Sequence, residues 1–347
     1  MIEHLHAVAT HAYYCGELDA GRRACERLLR HELPPGMERI VRRNRTWYTH
    51  RLEELASTRF IRLDAETYTG WSLFNPSIVA TDAGWVCNVR SSNYRIVNGC
   101  YEMPAADNGV IRTENVLLYL ADDFVTRSAV RVLQDYERTD FPVDGLEDIR
   151  LNVVDGQKLL SATVRNFAPH DGTCRIATTS LSGTIVCPPT EPGRHEKNWM
   201  PILGRAEWLY ACHNAGHVAT VREDGGYWQV TNHAAAPYLA RGFRGGSQLV
   251  PVGNGHWLAL VHEVAEDDTE GGRRIYEHRF VKFDEGAGWA IAGVSPPFSF
   301  MEPRAIEFAA GLARKGDRIV ASFGLRDAEA WLVEMTLGEV LNLVVPL

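Results

Sequence analysis

No apolar run in this chain of 347 residues approaches the roughly 18 to 20 residues that cross a bilayer. The opening, Met1-Ile-Glu-His-Leu-His, has neither the basic segment nor the apolar stretch of a secretory leader. Cysteine is sparse: seven residues, an odd number, none in a C-x-x-C pair. That spacing excludes a disulfide framework or a zinc knuckle and leaves reduced thiols in a cytoplasmic protein. Positive charge is in deficit, with a formal net charge of −8, which argues against nucleic-acid or anionic-membrane partners. Walker, G-x-G-x-x-G, G-x-S-x-G and H-E-x-x-H signatures are missing. The thirteen histidines are not grouped at metal spacings, and His256 and His262, six apart on one strand face, find no third ligand. Neither a metal nor an organic cofactor is expected.

What remains is a folded composition, 45% hydrophobic and 23% charged. It divides at about residue 57. Leu5, Val8, Ala9, Ala12 and Tyr13 fall at helical spacing, Gly16 and Glu17 interrupt, and Leu18, Ala20, Ala24, Leu28 and Leu29 resume the pattern. Two antiparallel helices result, with Pro34-Pro35-Gly36 closing the second and a third helical stretch around Arg42 to Leu55. The small-residue pattern resembles one tetratricopeptide unit, which cannot bury its own apolar face. Residues 1–57 therefore read as a helical extension packed on the rest as a cap, or as a docking surface for a protein partner or a second copy.

From Trp71 onward short β-rich runs alternate with Gly, Asn and Asp, and they repeat. Five times one strand is followed by another that begins apolar and ends polar. The leading strands start at Phe74, Gly145, Glu196, Gly245 and Ile306, and their partners start at Gly84, Lys158, Glu207, His256 and Asp317. Asp148, Asn198 and Ser247 lie 50 and 49 residues apart, about one four-stranded blade each. The pattern predicts a mainly β protein, a five-bladed β-propeller over residues 58–347 with an N-terminal α-helical extension.

The first strand of each pair is oddly polar for a buried element. Asn75, Glu147, Asp148, Arg150, Glu196, Lys197, Asn198, Ser247 and Gln248 all lie on these strands, where the chain should approach the axis. The second strands end in Arg90, Arg165, His213, His262-Glu263 and Arg326. Polar groups at a crowded centre cost free energy unless they pair or meet a ligand, so a pocket is expected there. Asp148, with Glu147 beside it, is the best placed carboxyl for proton transfer, although Asp148 and Arg150 equally make a salt bridge between blades. Trp71, Trp199, Trp208 and Tyr276 are candidates for stacking on a sugar, Trp199 foremost.

The runs Phe74-Asn-Pro-Ser-Ile, Gly145-Leu-Glu-Asp-Ile-Arg150 and Glu196-Lys-Asn-Trp199 resemble glycoside hydrolase family 130, as do Gly245-Gly-Ser, Tyr276-Glu-His-Arg and Ile306-Glu-Phe. The resemblance covers roughly Trp71 to Asp327. It departs from the family at Ile149, where proline is usual, and at Gly245-Gly-Ser-Gln. It implies an inverting β-mannoside phosphorylase in which Asp148 passes its proton through a sugar hydroxyl while inorganic phosphate, the co-substrate, attacks the anomeric carbon. Arg150, Arg165, Lys197 and His213 would hold the phosphate. Asn75, Arg90, Asn198, Trp199, Ser247, His262, Glu263, Tyr276, Glu307 and Asp327 would hold the carbohydrate. Two alternatives remain open: a glycosyltransferase or hydrolase on the same scaffold, the latter with Glu196, Glu263 or Glu307 as base, and a non-catalytic glycan-binding propeller.

Overall fold

A computed structural model describes residues 1–67, 69–97, 100–168, 171–180, 183–187, 193–224, 227–267 and 273–347. Among the described residues, five mainly antiparallel sheets follow one another along the chain, beside a separate two-stranded ladder of Arg95–Val97 and Cys100–Glu102. Blade I comprises Ser72–Thr81, Gly84–Ser92, Ile111–Leu120 and Thr126–Arg131. Blade II comprises Glu147–Val154, Gln157–Val164, Arg175–Ser180 and Gly183–Val186. Blade III comprises Met200–Pro201, Glu207–Asn214, His217–Asp224 and Tyr227–Ala235. Blade IV has a broken inner strand, Arg244–Gly245 and Val250–Gly253, followed by the long hairpin His256–Asp267 and Arg273–Asp284. Blade V is Glu307–Lys315, Arg318–Leu325 and Glu329–Thr336, and its outer strand, Arg59–Leu63, comes from the other end of the chain.

The inner strand of blade V packs on the inner strand of blade I. With Arg59–Leu63 pairing onto Glu329–Thr336, the ring closes as a five-bladed propeller and the last sheet gains its fourth strand. Burial follows position in the blade. In blade I the two inner strands are almost wholly buried, whereas Thr126–Arg131 is exposed along its length. Five apolar clusters fill the spaces within and between the blades.

The extension consists of α1 (Ile2–His11), α2 (Leu18–Leu28) and α3 (Pro35–Arg45). Gly16, at φ +75°, turns the chain between α1 and α2. The third helix begins earlier than its spacing suggested: Pro35 opens α3 instead of closing α2, because the first helical residue needs no N–H partner. It also ends at Arg45, and residues 46–55 hold only a short 3-10 turn, Leu52–Glu54, and a strand, His50–Arg51. That strand pairs in parallel with Phe298–Ser299 of blade IV. Leu5, Leu28, Leu29, Leu33 and Val41 share one core with Leu239, Trp257 and Phe283 of the propeller.

A buried charge network reinforces this contact. Arg45, 1% exposed, donates to Glu263 at 3.1 Å and to Glu277 at 2.5 and 3.0 Å. Arg42 and Arg279 also reach Glu263, at 2.6 and 2.7 Å, and Arg279 bonds Glu26 of α2 at 2.7 Å.

Candidate active site

Three blades deliver a residue to the axis in the same strained way. Asn75, Asp148 and Asn198 have φ of 45°, 51° and 61°, in the left-handed region. In blades I and II the ladder register slips at this point, between Phe74 and Ser77 and between Glu147 and Arg150. A bulge of this kind turns a side chain out of the ladder, and such features concentrate at functional sites. Asparagine tolerates left-handed backbone best among residues with a side chain. Two of the three positions carry it, and the third carries an acid.

Asp148 is only half committed. The Asn75 amide and the Arg90 guanidinium both donate to its Oδ1, each at 2.9 Å. Its Oδ2 accepts no bond among the described residues, and a quarter of the side chain is exposed. Arg90 is itself fixed, lying over the Phe74 ring at 5.0 Å and donating to Glu147 Oε1 at 2.7 Å. Burial acts to raise the Asp148 pKa, but Arg90, the Asn75 amide and Arg150 outweigh it and hold the carboxyl below its ordinary value. Asp327, bonded by the Tyr94 hydroxyl at 2.8 Å, shifts the other way. Its burial, aided by the charges of Asp148 and Glu147, outweighs Arg90 and the Tyr94 bond, so it keeps its proton longer.

Arg150 does something other than expected. It is 1% exposed, and its donors go to the carbonyls of Gly246 (2.7 Å), Asp148 (3.0 Å) and Gly245 (3.3 Å) and to Asn198 Oδ1 (3.1 Å). Those bonds make it a strut across blades II, III and IV, and it acts on the Asp148 carboxylate through its charge and not through a hydrogen bond among the described residues. Burial lowers its pKa to about 10. Gly245 allows this crossing, since a Cβ there would overlap the Asn198 carbonyl.

Four more expected ligands are structural. Trp199, 1% exposed, packs among Trp208, Tyr210 and Trp228 and donates to Glu196 at 3.0 Å. Ser247 is fully buried, its hydroxyl shared between Leu260 N–H and the Gln248 carbonyl. Glu263 belongs to the charge network beneath α3. Glu307 accepts three backbone N–H bonds from Phe300, Met301 and Glu302 at 2.6 to 2.8 Å, while burial pushes its pKa up to about 7. The carboxylates considered as bases for water, Glu196, Glu263 and Glu307, are thus all engaged.

His262 and Tyr276 lie on the two strands of the blade IV hairpin. Their rings lie 5.7 Å apart, and His262 meets Phe308 at 5.1 Å. Burial and nearby cations keep His262 neutral. Arg165 and Lys197 line a cavity of about 640 Å³ between α3 and blades II to IV. His213, half-buried on Glu207–Asn214, is not among its lining residues. Asp148 does not line this cavity either. It connects to it through Arg150, whose guanidinium lies 5.6 Å from the Phe308 ring, then through His262, whose strand neighbour Arg244 lines the cavity.

Sequence reasoning missed Tyr94, Arg244, Arg274 and the α3 wall of the cavity. Tyr94 follows an ordinary strand end and carries no motif. The α3 wall was hidden because the extension was read as a cap or docking surface and not as a side of the pocket, and no motif marks Arg244 or Arg274.

No sequence family matches the chain, and no curated protein does. Solved structures do match. The β-1,2-mannobiose phosphorylase of Listeria innocua, solved with β-1,2-mannobiose, aligns at 12% identity and a TM-score of 0.51 over 82% of this chain and 96% of that one. A glycosyl hydrolase from Bacteroides ovatus aligns at 13% identity and 0.52, covering 84% and 97%. A structure from work on the mannoside phosphorylases of glycoside hydrolase family 130, and on its hydrolases that target β-1,2 mannosidic linkages in Candida mannan, aligns at 14% and 0.52, covering 84% and 97%. At these identities the likeness establishes a shared propeller fold across nearly the whole length of those enzymes.

Proposed function

We propose that the protein is a carbohydrate-active enzyme, an inverting glycoside phosphorylase that joins or splits a sugar 1-phosphate and a saccharide acceptor. The half-committed Asp148 carboxyl carries this reading. One oxygen is pinned by Asn75 and Arg90, the other is open, and the carboxyl sits at a strained position where its counterparts are asparagine. Arg165 and Lys197 would hold the phosphate. The full engagement of Glu196, Glu263 and Glu307 favours phosphate over activated water as nucleophile. The phosphorylase and hydrolase among the structures of like fold agree with a sugar substrate.

In the synthetic direction the acceptor oxygen attacks the anomeric carbon. The bond to phosphate breaks with its electron pair, and the acceptor proton passes through a sugar hydroxyl to Asp148. An ionised Asp148 is the competent starting form, and its depressed pKa supplies that form at neutral pH. Synthesis should therefore hold level near neutrality and fall on acidification, while phosphorolysis, which starts from the protonated acid, should peak at lower pH.

The test is release of inorganic phosphate from mannose 1-phosphate or glucose 1-phosphate with a panel of acceptors. Acceptor-dependent release that drops about 10²- to 10⁴-fold in Asp148→Asn is expected. Equal glycoside turnover in phosphate-free buffer, or release indifferent to the mutation, would overturn the reading.

A further inference from the structure

A second cavity shares Tyr94 with the cluster around Asp148. It encloses about 300 Å³, the lower end of the range for pockets that take small molecules, roughly 300 to 1,000 Å³. Trp71, Tyr94, Arg95 and Glu102 line it. The Tyr94 hydroxyl donates to Asp327 at 2.8 Å, and the Arg90 guanidinium, which is bonded to Asp148, lies 6.0 Å from the Tyr94 ring. All its described lining residues belong to blade I, to the residues just before it or to the Arg95–Glu102 segment. The larger cavity, with Arg165 and Lys197, is walled instead by blades II to IV and α3.

Two features of this cavity are left incomplete by the protein. Of the nine tryptophans, Trp71 alone has an indole that meets no aromatic ring, no cation and no hydrogen-bond acceptor among the described residues. It is half-buried, so a large aromatic surface stands at the cavity without a partner. Arg95 and Glu102 are direct partners in the register of the two-stranded ladder. Opposite charges placed so ordinarily pair, yet neither side chain makes an ion pair or a hydrogen bond among the described residues, and both line the cavity. A cation and an anion held apart across a small space suit a ligand without net charge whose groups both donate and accept, as hydroxyls do. An apolar ring face for the indole and a rim of hydroxyls for the charges are together the chemistry of a sugar.

We propose that this cavity is the acceptor subsite, holding a neutral saccharide stacked on Trp71 with its hydroxyls bonded to Arg95 and Glu102. The proposal rests on the phosphorylase reading for the ligand's role as acceptor. In an inverting displacement the nucleophile and the leaving oxygen occupy opposite faces of the anomeric carbon, and the acid serves the leaving side. Phosphate on Arg165 and Lys197 approaches from the cavity of blades II to IV, and the acceptor reaches Asp148 from blade I. Trp71, Arg95 and Glu102 then decide which acceptor is used and take no part in holding phosphate.

The test combines kinetics and calorimetry on the full chain. In phosphate release from mannose 1-phosphate, Trp71→Ala and Glu102→Gln should each raise KM for the acceptor, mannose or glucose, about tenfold and leave KM for mannose 1-phosphate unchanged. Trp71→Phe restores an aromatic face and should recover most of the loss. Calorimetry of mannose and glucose, in saturating inorganic phosphate, should show the same weakening and little dependence on salt, as an uncharged ligand requires. Melting temperatures confirm that the variants fold, and Glu102 is exposed, so its replacement leaves the core intact. An acceptor KM unchanged in both variants, or an affinity that falls steeply with salt, overturns the subsite and leaves the phosphorylase standing. Monosaccharide binding that both variants weaken, with no phosphate released from mannose 1-phosphate or glucose 1-phosphate by the wild type, sinks the phosphorylase and spares the subsite. Neither binding nor release overturns both.

Discussion

Two clusters of buried ionisable groups lie in this molecule, and they differ in completeness. Beneath the helices, Arg42, Arg45 and Arg279 converge on Glu263, and Glu277 and Glu26 complete the set. At the axis, Asn75 and Arg90 satisfy only one oxygen of Asp148, and burial raises the pKa of Asp327 above its ordinary value. Both clusters look alike in a sequence, as acids and arginines at strand ends. A saturated cluster holds elements together, whereas an unsaturated one retains the capacity to exchange protons or bind a ligand. Residue type therefore says less about function than the number of bonds left unmade.

The comparison breaks first at Arg45. Replacing it with alanine strands Glu263 and Glu277, each 2% exposed, without their central partner. Removing one member of a buried pair typically costs about 3 to 5 kcal/mol. Urea unfolding of Arg45→Ala should show a loss of that size, together with early proteolysis of the extension. A loss below about 1 kcal/mol would mean that the network does not bind the helices to the propeller, and the contrast with the axis would collapse.

The propeller itself was legible because repetition is visible in one sequence. Five leading strands and five partners stand out, and the two inner intervals match a blade. Asn75 and Asp148 stood out for the same reason, as equivalent positions on the leading strands of neighbouring blades, and Arg90 as the polar end of a second strand. Glu263 was not, because its partners Arg42 and Arg45 lie 221 and 218 residues away and nothing local announces them. Trp199 misled because an aromatic beside Lys197-Asn198 satisfies a sugar site and a blade core equally well. Arg150 misled because the acceptors that consume it are backbone carbonyls, which no motif records.

A middle-sized effect concerns Glu307, an acid that is buried yet structural. Its carboxyl keeps a proton to about pH 7, against 4.5 for the ordinary group. Between those values the native state binds more protons than the unfolded chain, so this group's contribution to stability declines as pH rises across the window. Glutamine cannot titrate and offers one acceptor oxygen in place of two. Glu307→Gln should thus be the less stable protein near pH 4.5, and wild type should lose on the order of 2 kcal/mol of its advantage by pH 7.5. Parallel stability curves for the two proteins would show that Glu307 is ionised throughout and belongs with the saturated network.

The smallest expected change in stability is the one that separates the clusters best. Asp148→Asn removes a charge from the axis, yet asparagine suits φ +51° at least as well as aspartate, as Asn75 and Asn198 show in the adjoining blades. Arg90 keeps its bond to Glu147, and the repulsion of Asp148 on Asp327 disappears. These terms oppose one another, so the unfolding free energy should move by less than about 1 kcal/mol in either direction. Catalysis should meanwhile fall by orders of magnitude. A residue whose loss abolishes activity at almost no cost in stability is retained for chemistry. If Asp148→Asn instead unfolds as readily as Arg45→Ala, the axis is a second structural clamp, and its open oxygen has no bearing on function.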